Sequence, residues 1–512
     1  MSEQLYIYCN QLCSKSLRKP INHTAIRKSN LFLTLLLFLP LTLSAQPKQE
    51  ATPEPGVWGG ELVYQNQSTE FYLGFTLDEH GDLTATTYMP VIPFPKRNIG
   101  TLNKTDTHFT AGAVQFSIDS DTQKITGTFP GSSRGLSFEL YPVDDFPAAK
   151  EPISSRSTAT PAWTFKTDGR IWGGASTDHE NVYIGSTDGN LYSLSQHDGS
   201  LIWKFGADGA IFSRPLLHQG SVYTLSDGGK LYKLDSKTGR PIWTFDTGGH
   251  VWMRKLPIDE NPGWDTAVSG VTISENVVYA GSGDGHLFAI DANSGTEKWR
   301  FKTEGPVHSI PVVADGMAIF GSYDHHVYAL NAATGELNWK FDTGQMIVSS
   351  PAYVDGKVII GSRSADLYAI NASTGVEEWR YFHWGSWVES SGTTFDGQLY
   401  IGSSDDQLLK SFDPENGNLL WSASLGGSPW STPAVTQNTV FTGAFGNANY
   451  GIDHRGGFFG VDRLTGEVQW SYLWEKTPDT NIYGVVSSPA AANGMVFFGG
   501  LDGVIYGFHA EH

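Results

Sequence analysis

The sequence predicts an all-β chain: an eight-bladed β-propeller preceded by a small antiparallel β domain and a cleaved signal peptide. Three observations predict it: a tryptophan returning about every forty residues, a composition rich in turns and rings, and one short apolar run near the N terminus.

The repeat defines the propeller. Trp163, Trp203, Trp243, Trp299, Trp339, Trp379, Trp421 and Trp470 are spaced by 40, 40, 56, 40, 40, 42 and 49 residues. Ahead of each from the second onward stands the same series of signals, clearest before Trp339. A turn at Gly321-Ser-Tyr-Asp324 leads to a strand at Val327-Tyr-Ala-Leu330, a turn at Asn331-Ala-Ala-Thr-Gly335 and a strand through Leu337-Asn-Trp339-Lys-Phe341. Thr238-Gly239, Ser294-Gly295, Thr374-Gly375, Asn416-Gly417 and Thr465-Gly466 fill the Thr-Gly position elsewhere. Each period reads as four short strands with tight turns. One such sheet cannot bury both faces alone, and stacking sheets around a ring solves this. The tryptophan reads as the blade-to-blade packing residue. The count also closes the ring. Trp163-Thr-Phe165 is an outer strand with no blade before it, and Val485 to Phe508 supplies three strands without a final Trp strand. Joined, they make an eighth blade from both ends of the repeat region and leave no open edge. The propeller is assigned to residues 159–512.

The rest of the chain is read from composition. Of 512 residues, 58 are Gly and 16 Trp, with 13% aromatic and 17% charged, which suits many short strands better than long helices. Residues 56–143 alternate polar and apolar side chains between turn signals, as in Glu70-Phe-Tyr-Leu-Gly-Phe-Thr-Leu77, and read as the small β domain. Residues 46–55 and the Pro-, Ala- and Ser-rich residues 144–158 read as linkers. Residues 31 to 43 are Leu-Phe-Leu-Thr-Leu-Leu-Leu-Phe-Leu-Pro-Leu-Thr-Leu, too short to span a bilayer and suited to the core of a signal peptide. Arg27 and Lys28 precede the run, and Leu43-Ser44-Ala45 offers a cleavage site. Residues 1–45 are therefore expected to be removed near Ala45, leaving a periplasmic or extracellular protein with no membrane span. Both cysteines, Cys9 and Cys13, leave with them. The mature chain is then expected to have no disulfide, no thiolate metal site, no thiol nucleophile and no lipid-anchoring cysteine. Net charge is −19; the first 45 residues hold five bases and one acid, so without them 29 bases face 52 acids, or −23. That sign disfavours nucleic acid and anionic membrane surfaces as partners. A monomer is expected.

Two resemblances follow from these motifs. The series Asp235-Ser-Lys-Thr-Gly239 to Trp243 and Asp291-Ala-Asn-Ser-Gly295 to Trp299 resembles the tryptophan-docking motif of the pyrroloquinoline-quinone (PQQ) propeller superfamily, over residues 161–512. That superfamily includes quinoprotein alcohol dehydrogenases and a propeller lipoprotein of outer-membrane protein assembly. The resemblance implies the eight-bladed fold and leaves function open. Gly56-Val-Trp-Gly-Gly60 resembles the Gly-x-Trp-x-Gly β modules that precede the catalytic domain in some secreted hydrolases.

A site is expected on one face. Connections between blades, and those between second and third strands, emerge together, opposite the Thr-Gly turns. Three are lengthened: Gly249 to Ala267, Ala444 to Arg455 and Leu473 to Tyr483. Long loops on one face of a rigid scaffold are where binding concentrates. Residues two before the Ser-x-Pro type signature of each inner strand, or their near neighbours, give a ring of Trp172, Phe212, Trp252, His308, Val348, Glu389, Trp430 and Tyr483, with Arg214, Arg254 and Lys255 close by. Trp264, Tyr450, His454, Arg455 and Trp474 add rings and cations to the long loops. Such a surface can hold a protein segment, a glycan or a planar cofactor.

Three readings follow. The leading one is a non-catalytic binding or scaffolding propeller without a cofactor, docking a protein or glycan partner on this face. The alternative is a PQQ- and calcium-dependent dehydrogenase, which needs a Glu-Asn-Asp calcium site and a carboxylate base; Glu389, Asp259 and Asp265 are its candidates. No spacing demands a metal, and the adjacent-cysteine disulfide many such enzymes carry cannot form. The third reading is a carbohydrate-binding propeller using exposed tryptophans as stacking platforms.

Overall fold

The computed structural model describes residues 52–511 except 93–95, 106–107, 133, 149–154, 249–253, 257–264, 266, 449–453 and 476–480. The signal peptide expected at 1–45 lies outside the described residues. The chain divides into two compact units, within residues 1–149 and 150–512. No helix among the described residues is long and apolar enough to cross a membrane.

The first unit is one antiparallel sheet of nine strands that curls until it is nearly closed. Its first strand, Gly56–Tyr64, pairs on one side with Gln67–Leu77 and on the other with the last, Ser137–Val143. Alternation sends Phe71, Leu73, Phe75, Phe116, Ile125 and Leu140 inside. Gly59 and Gly74 leave room on the outer face for the rings of Tyr72 and Phe146.

The second unit is the eight-bladed propeller. Blades 1 to 6 are four-stranded antiparallel sheets in sequential order, beginning at Ala175, Leu216, Val271, Val312, Ala352 and Thr393. Blade 7 runs from Ala434 to Leu473, with Ser157–Thr158 added in parallel at its outer edge, so the segment read as a linker ends as part of this sheet. Blade 8 joins Ala490–Ala492, Met495–Gly499 and Val504–His509 to Trp163–Lys166, with Trp163 opposite Gly507 and Phe165 opposite Ile505. The ring closes with one strand from the start of the repeat region, as the split repeat predicts.

Blade contacts follow from the turn chemistry. In the Thr-Gly turns a carboxylate or amide oxygen gathers the turn: Asp235 Oδ1 accepts the N–H of Lys237 and Thr238 and the Thr238 hydroxyl. The turn glycine then takes a left-handed φ, 68° at Gly239, and presents its bare Cα to the preceding blade's tryptophan. A Cβ there would sit 2.6 Å from the Trp203 ring. The Trp203 indole N–H caps the Ser236 carbonyl of the same turn at 2.9 Å. The arrangement recurs from Trp163 on Gly199 through Trp421 on Gly466. Blade 8 has no such turn, and Trp470 instead lies parallel to Phe508, centroids 6.0 Å apart.

Candidate functional site

The serine of the Ser-x-Pro signature is a structural pin. The hydroxyls of Ser213, Ser309, Ser349, Ser431 and Ser487 accept the N–H of Leu225, Gly321, Gly361, Gly443 and Gly499. Each ties the end of a second strand to the start of the innermost one. The residue just before the pin is thereby fixed: Phe212, His308, Val348 and Trp430, with Glu389 before Ser390. Blades 3 and 8 place Val268 and Val486 there, because the long connections shift Trp252 and Tyr483 upstream. A second set of side chains comes from the turns between second and third strands, directly after the turn serine: Asp227, Tyr323 and Arg363.

On blades 2 to 6 the two sets meet as a buried charged network. Arg254, from the first long connection, donates to Asp227 Oδ2 at 2.8 Å, Asp265 Oδ1 at 3.1 Å and the Ala267 carbonyl at 2.9 Å. Its third nitrogen stands 3.2 Å from His308 Nδ1, and its guanidinium lies 4.6 Å from the Phe212 ring centre. Tyr323 donates its hydroxyl to the same Asp265 oxygen at 2.5 Å. Arg363 pairs with Glu389 at 2.7 Å and stacks on Trp387 at 4.5 Å. Burial opposes the Arg254 charge, yet Asp227 and Asp265 more than offset it and hold its pKa above the ordinary arginine value. Burial, with Arg254 alongside, pushes His308 down to about 3, so it is neutral. Burial and Asp265 hold the Tyr323 hydroxyl protonated.

On blades 1, 2, 7 and 8 the face is apolar. Trp172, Phe212 and Trp430 share one buried cluster with Leu256, Phe445, Ile482 and Leu501. Leu256, Phe445 and Ile482 come one from each long connection, so the three converge over the same place. Trp430 stacks on Phe445, centroids 4.3 Å apart. Beside this cluster His454 is buried and its tautomer is fixed: Nδ1 accepts the Asn447 N–H at 2.9 Å. Its Nε2 therefore carries the proton and donates to Ser428 Oγ at 3.0 Å, while Ser428 donates to the Ser404 carbonyl. This Ser–His pair cannot work as base and nucleophile, since the imidazole faces the hydroxyl with N–H.

The expected site residues thus separate. Phe212, Arg254, His308 and Glu389 belong to the charged half or its border; Trp172 and Trp430 belong to the apolar half. The Tyr483 hydroxyl donates to the His454 carbonyl at 2.8 Å, and the Arg455 N–H to the Gly426 carbonyl at 2.6 Å. Arg214 stands at the innermost edge of blade 2. Trp252, Trp264 and Tyr450 lie outside the described residues, as does Asp259. Sequence reasoning missed Asp227, Tyr323, Arg363 and Trp387. The first three share the position after the turn serine, where Gly283 stands in blade 3.

Fold and site together define the class, an eight-bladed PQQ-like β-propeller. Within it the chain belongs to the PQQ_2 family, described as outer membrane protein assembly factor BamB, whose model matches residues 153–251, 244–383 and 382–511. No curated protein matches the chain. Among solved structures it is similar to BamB from Moraxella catarrhalis, at 19% identity and TM-score 0.50, covering 70% of this chain and 99% of that one. It is also similar to the quinohemoprotein alcohol dehydrogenase ADHIIG from Pseudomonas putida HK5, at 16% identity and TM-score 0.50, covering 70% and 78%. The computationally designed Ika8 protein aligns at 16% identity and TM-score 0.55, covering 68% and 99%. At these identities the likenesses show the fold.

Proposed function

We propose that the chain is a non-catalytic binding or scaffolding protein of the cell envelope that docks a protein partner on its loop-rich face. The observation that carries this reading is the pairing of the site's ionisable groups with one another. Glu389 is held by Arg363, and Asp265 and Asp227 by Arg254. A calcium ion or a general base needs a carboxylate not already neutralised by a guanidinium. No cluster of three His, Cys, Asp or Glu suited to a metal occurs among the described residues. The cavity beside the network, walled by Asp227, Ser269 and His308, measures about 30 Å³, room for water but far below the several hundred Å³ of a cofactor pocket. These pairings and the small cavity support the reading without PQQ and calcium. The buried state of Trp172 and Trp430 likewise offers a sugar no open ring. The apolar run at 31–43 supports export across a membrane.

Photocrosslinkers at Lys255 and Trp387, beside one at Lys237 in an opposite-face turn, test the reading in living cells. Capture of one envelope protein from the first two positions alone is expected. Tight PQQ and calcium binding with alcohol-driven dye reduction by the purified chain would overturn it.

A further inference from the structure

The innermost strands adjoin one another around the axis. One residue at the entry of each sets the chemistry of the channel wall: Gly174 in blade 1, Arg214 in blade 2, and serine or threonine in blades 5 to 8 (Ser350, Ser391, Thr432, Ser488). None of the eight equivalent positions holds a carboxylate. The side chains run tangentially, from each blade back to the one before. Ser350 Oγ accepts the Ile310 N–H, Ser391 Oγ the Ser350 N–H, and Ser488 Oγ the Thr432 N–H, at 2.8, 2.8 and 3.0 Å. Each hydroxyl accepts and has its own proton left to give. Arg214 follows the same direction and lies over Gly174, where a Cβ would meet its Cβ, Cγ and Cδ at 3.0–3.2 Å. The missing side chain of Gly174 is what makes room for it.

The Arg214 side chain is partly exposed and has neither an ion pair nor a hydrogen bond among the described residues. Every other deeply placed arginine of this face, Arg254 and Arg363, has a carboxylate. Burial pulls Arg214 below the ordinary arginine value and no carboxylate offsets it. Two residues before Gly174, Trp172 is fully buried and its indole N–H also has no acceptor. Cations and donors on a confined wall are ordinarily matched by a negative group, and a wall with a cation and spare hydroxyl protons but no carboxylate lacks an anion.

We propose that the channel entry binds a small oxyanion, held by the Arg214 guanidinium and the hydroxyls of Thr432 and Ser488. Guanidinium offers a planar pair of N–H groups that match two oxygens of phosphate or a carboxylate, and hydroxyls can take the rest. The site does not depend on which partner docks above, and its test uses the isolated chain. Melting of the full mature protein is followed against inorganic phosphate, sulfate and acetate, with chloride balancing ionic strength. A saturable rise with at least one of them is expected. Arg214→Gln should weaken that binding by about tenfold or more, Arg214→Lys by less, and Thr432→Val by a few-fold, with unchanged circular dichroism. If Arg214→Gln does not fold, the weakening by Arg214→Lys decides. No saturable shift with any anion, or equal binding by the arginine variants, would overturn the site. So would anion-independent stabilisation by an acidic peptide alone, which would move Arg214 to the docking surface.

Discussion

Truncating Trp163 to alanine tests ring closure at its seam. This side chain is 8% exposed, sits in a four-residue strand, and is held to a segment more than 300 residues away. Its indole N–H caps the Gln196 carbonyl at 2.8 Å, and its ring stacks on Phe497, centroids 5.7 Å apart. It also covers Gly199, so the change removes the contact between blades 8 and 1 on that side. A large buried aromatic cut to alanine costs about 3–5 kcal/mol. Losing the indole donor also takes the partner from the Gln196 carbonyl, whose hydrogen bond is buried, as the same change does at Trp203 for Ser236. Trp203 is the proper comparison: it is also 8% exposed and docks in the same way, but within a blade continuous in sequence. Urea unfolding of the propeller followed by far-ultraviolet circular dichroism should therefore give both variants losses within about 1 kcal/mol of each other. The exposed neighbour change Thr164→Ala should cost roughly 0.5 kcal/mol or less. If Trp163→Ala resembles Thr164→Ala and not Trp203→Ala, the seam strand contributes no closure and the reasoning fails.

Further expectations concern the buried polar groups. Lys410→Ala strands Asp406 in the interior and should cost about 3–5 kcal/mol in urea, whereas the double change Lys410→Tyr with Asp406→Asn should be close to neutral. Both His308 and His383 are held neutral by burial, His308 at about 3 and His383 well below its usual value. An unfolded histidine takes its proton near pH 6.5, so stability should be flat above that pH and fall below it, by up to about 1.4 kcal/mol per pH unit for each. His383→Thr should remove roughly half of that slope in melts between pH 7 and 5. Gly456→Ala puts a Cβ 2.7 Å from the Gly484 Cα, where two long connections cross, and should lower the melting temperature by several degrees without changing the other blades' spectra.

The ring was legible because it is a matter of counting. A tryptophan strand without a blade before it, and three strands without a tryptophan after them, admit one simple solution, and Trp163 opposite Gly507 realises it. The positions before the pinning serines were legible too, which is why His308 and Glu389 could be named. Their partners were not. Arg363 is 26 residues from Glu389 and Tyr323 is 58 from Asp265, and each sits in a turn whose aim depends on how neighbouring blades rotate about the axis. The burial of Trp172 and Trp430 was equally hidden, because it depends on Leu256, Phe445 and Ile482 folding back over them. One departure, however, stands in the repeat itself. Tyr192, Tyr232, Phe288, Tyr328, Tyr368, Phe459 and Tyr506 occupy one position of the third strand, and blade 6 places Lys410 there. In blades 1, 4 and 8 that ring hydroxyl bonds an aspartate of the preceding turn, as Tyr192 does to Asp188 at 2.7 Å. Lys410 keeps the partner, pairing with Asp406, and recruits His383 at 2.9 Å from a position where blades 2, 3 and 4 have threonine. Two coordinated departures, His383 at the end of blade 5 and Lys410 in blade 6, preserve the bond while exchanging a neutral donor for a charged one. Where this turn carries the aspartate, a tyrosine hydroxyl is its usual donor, and blade 6 supplies the donor from a lysine instead.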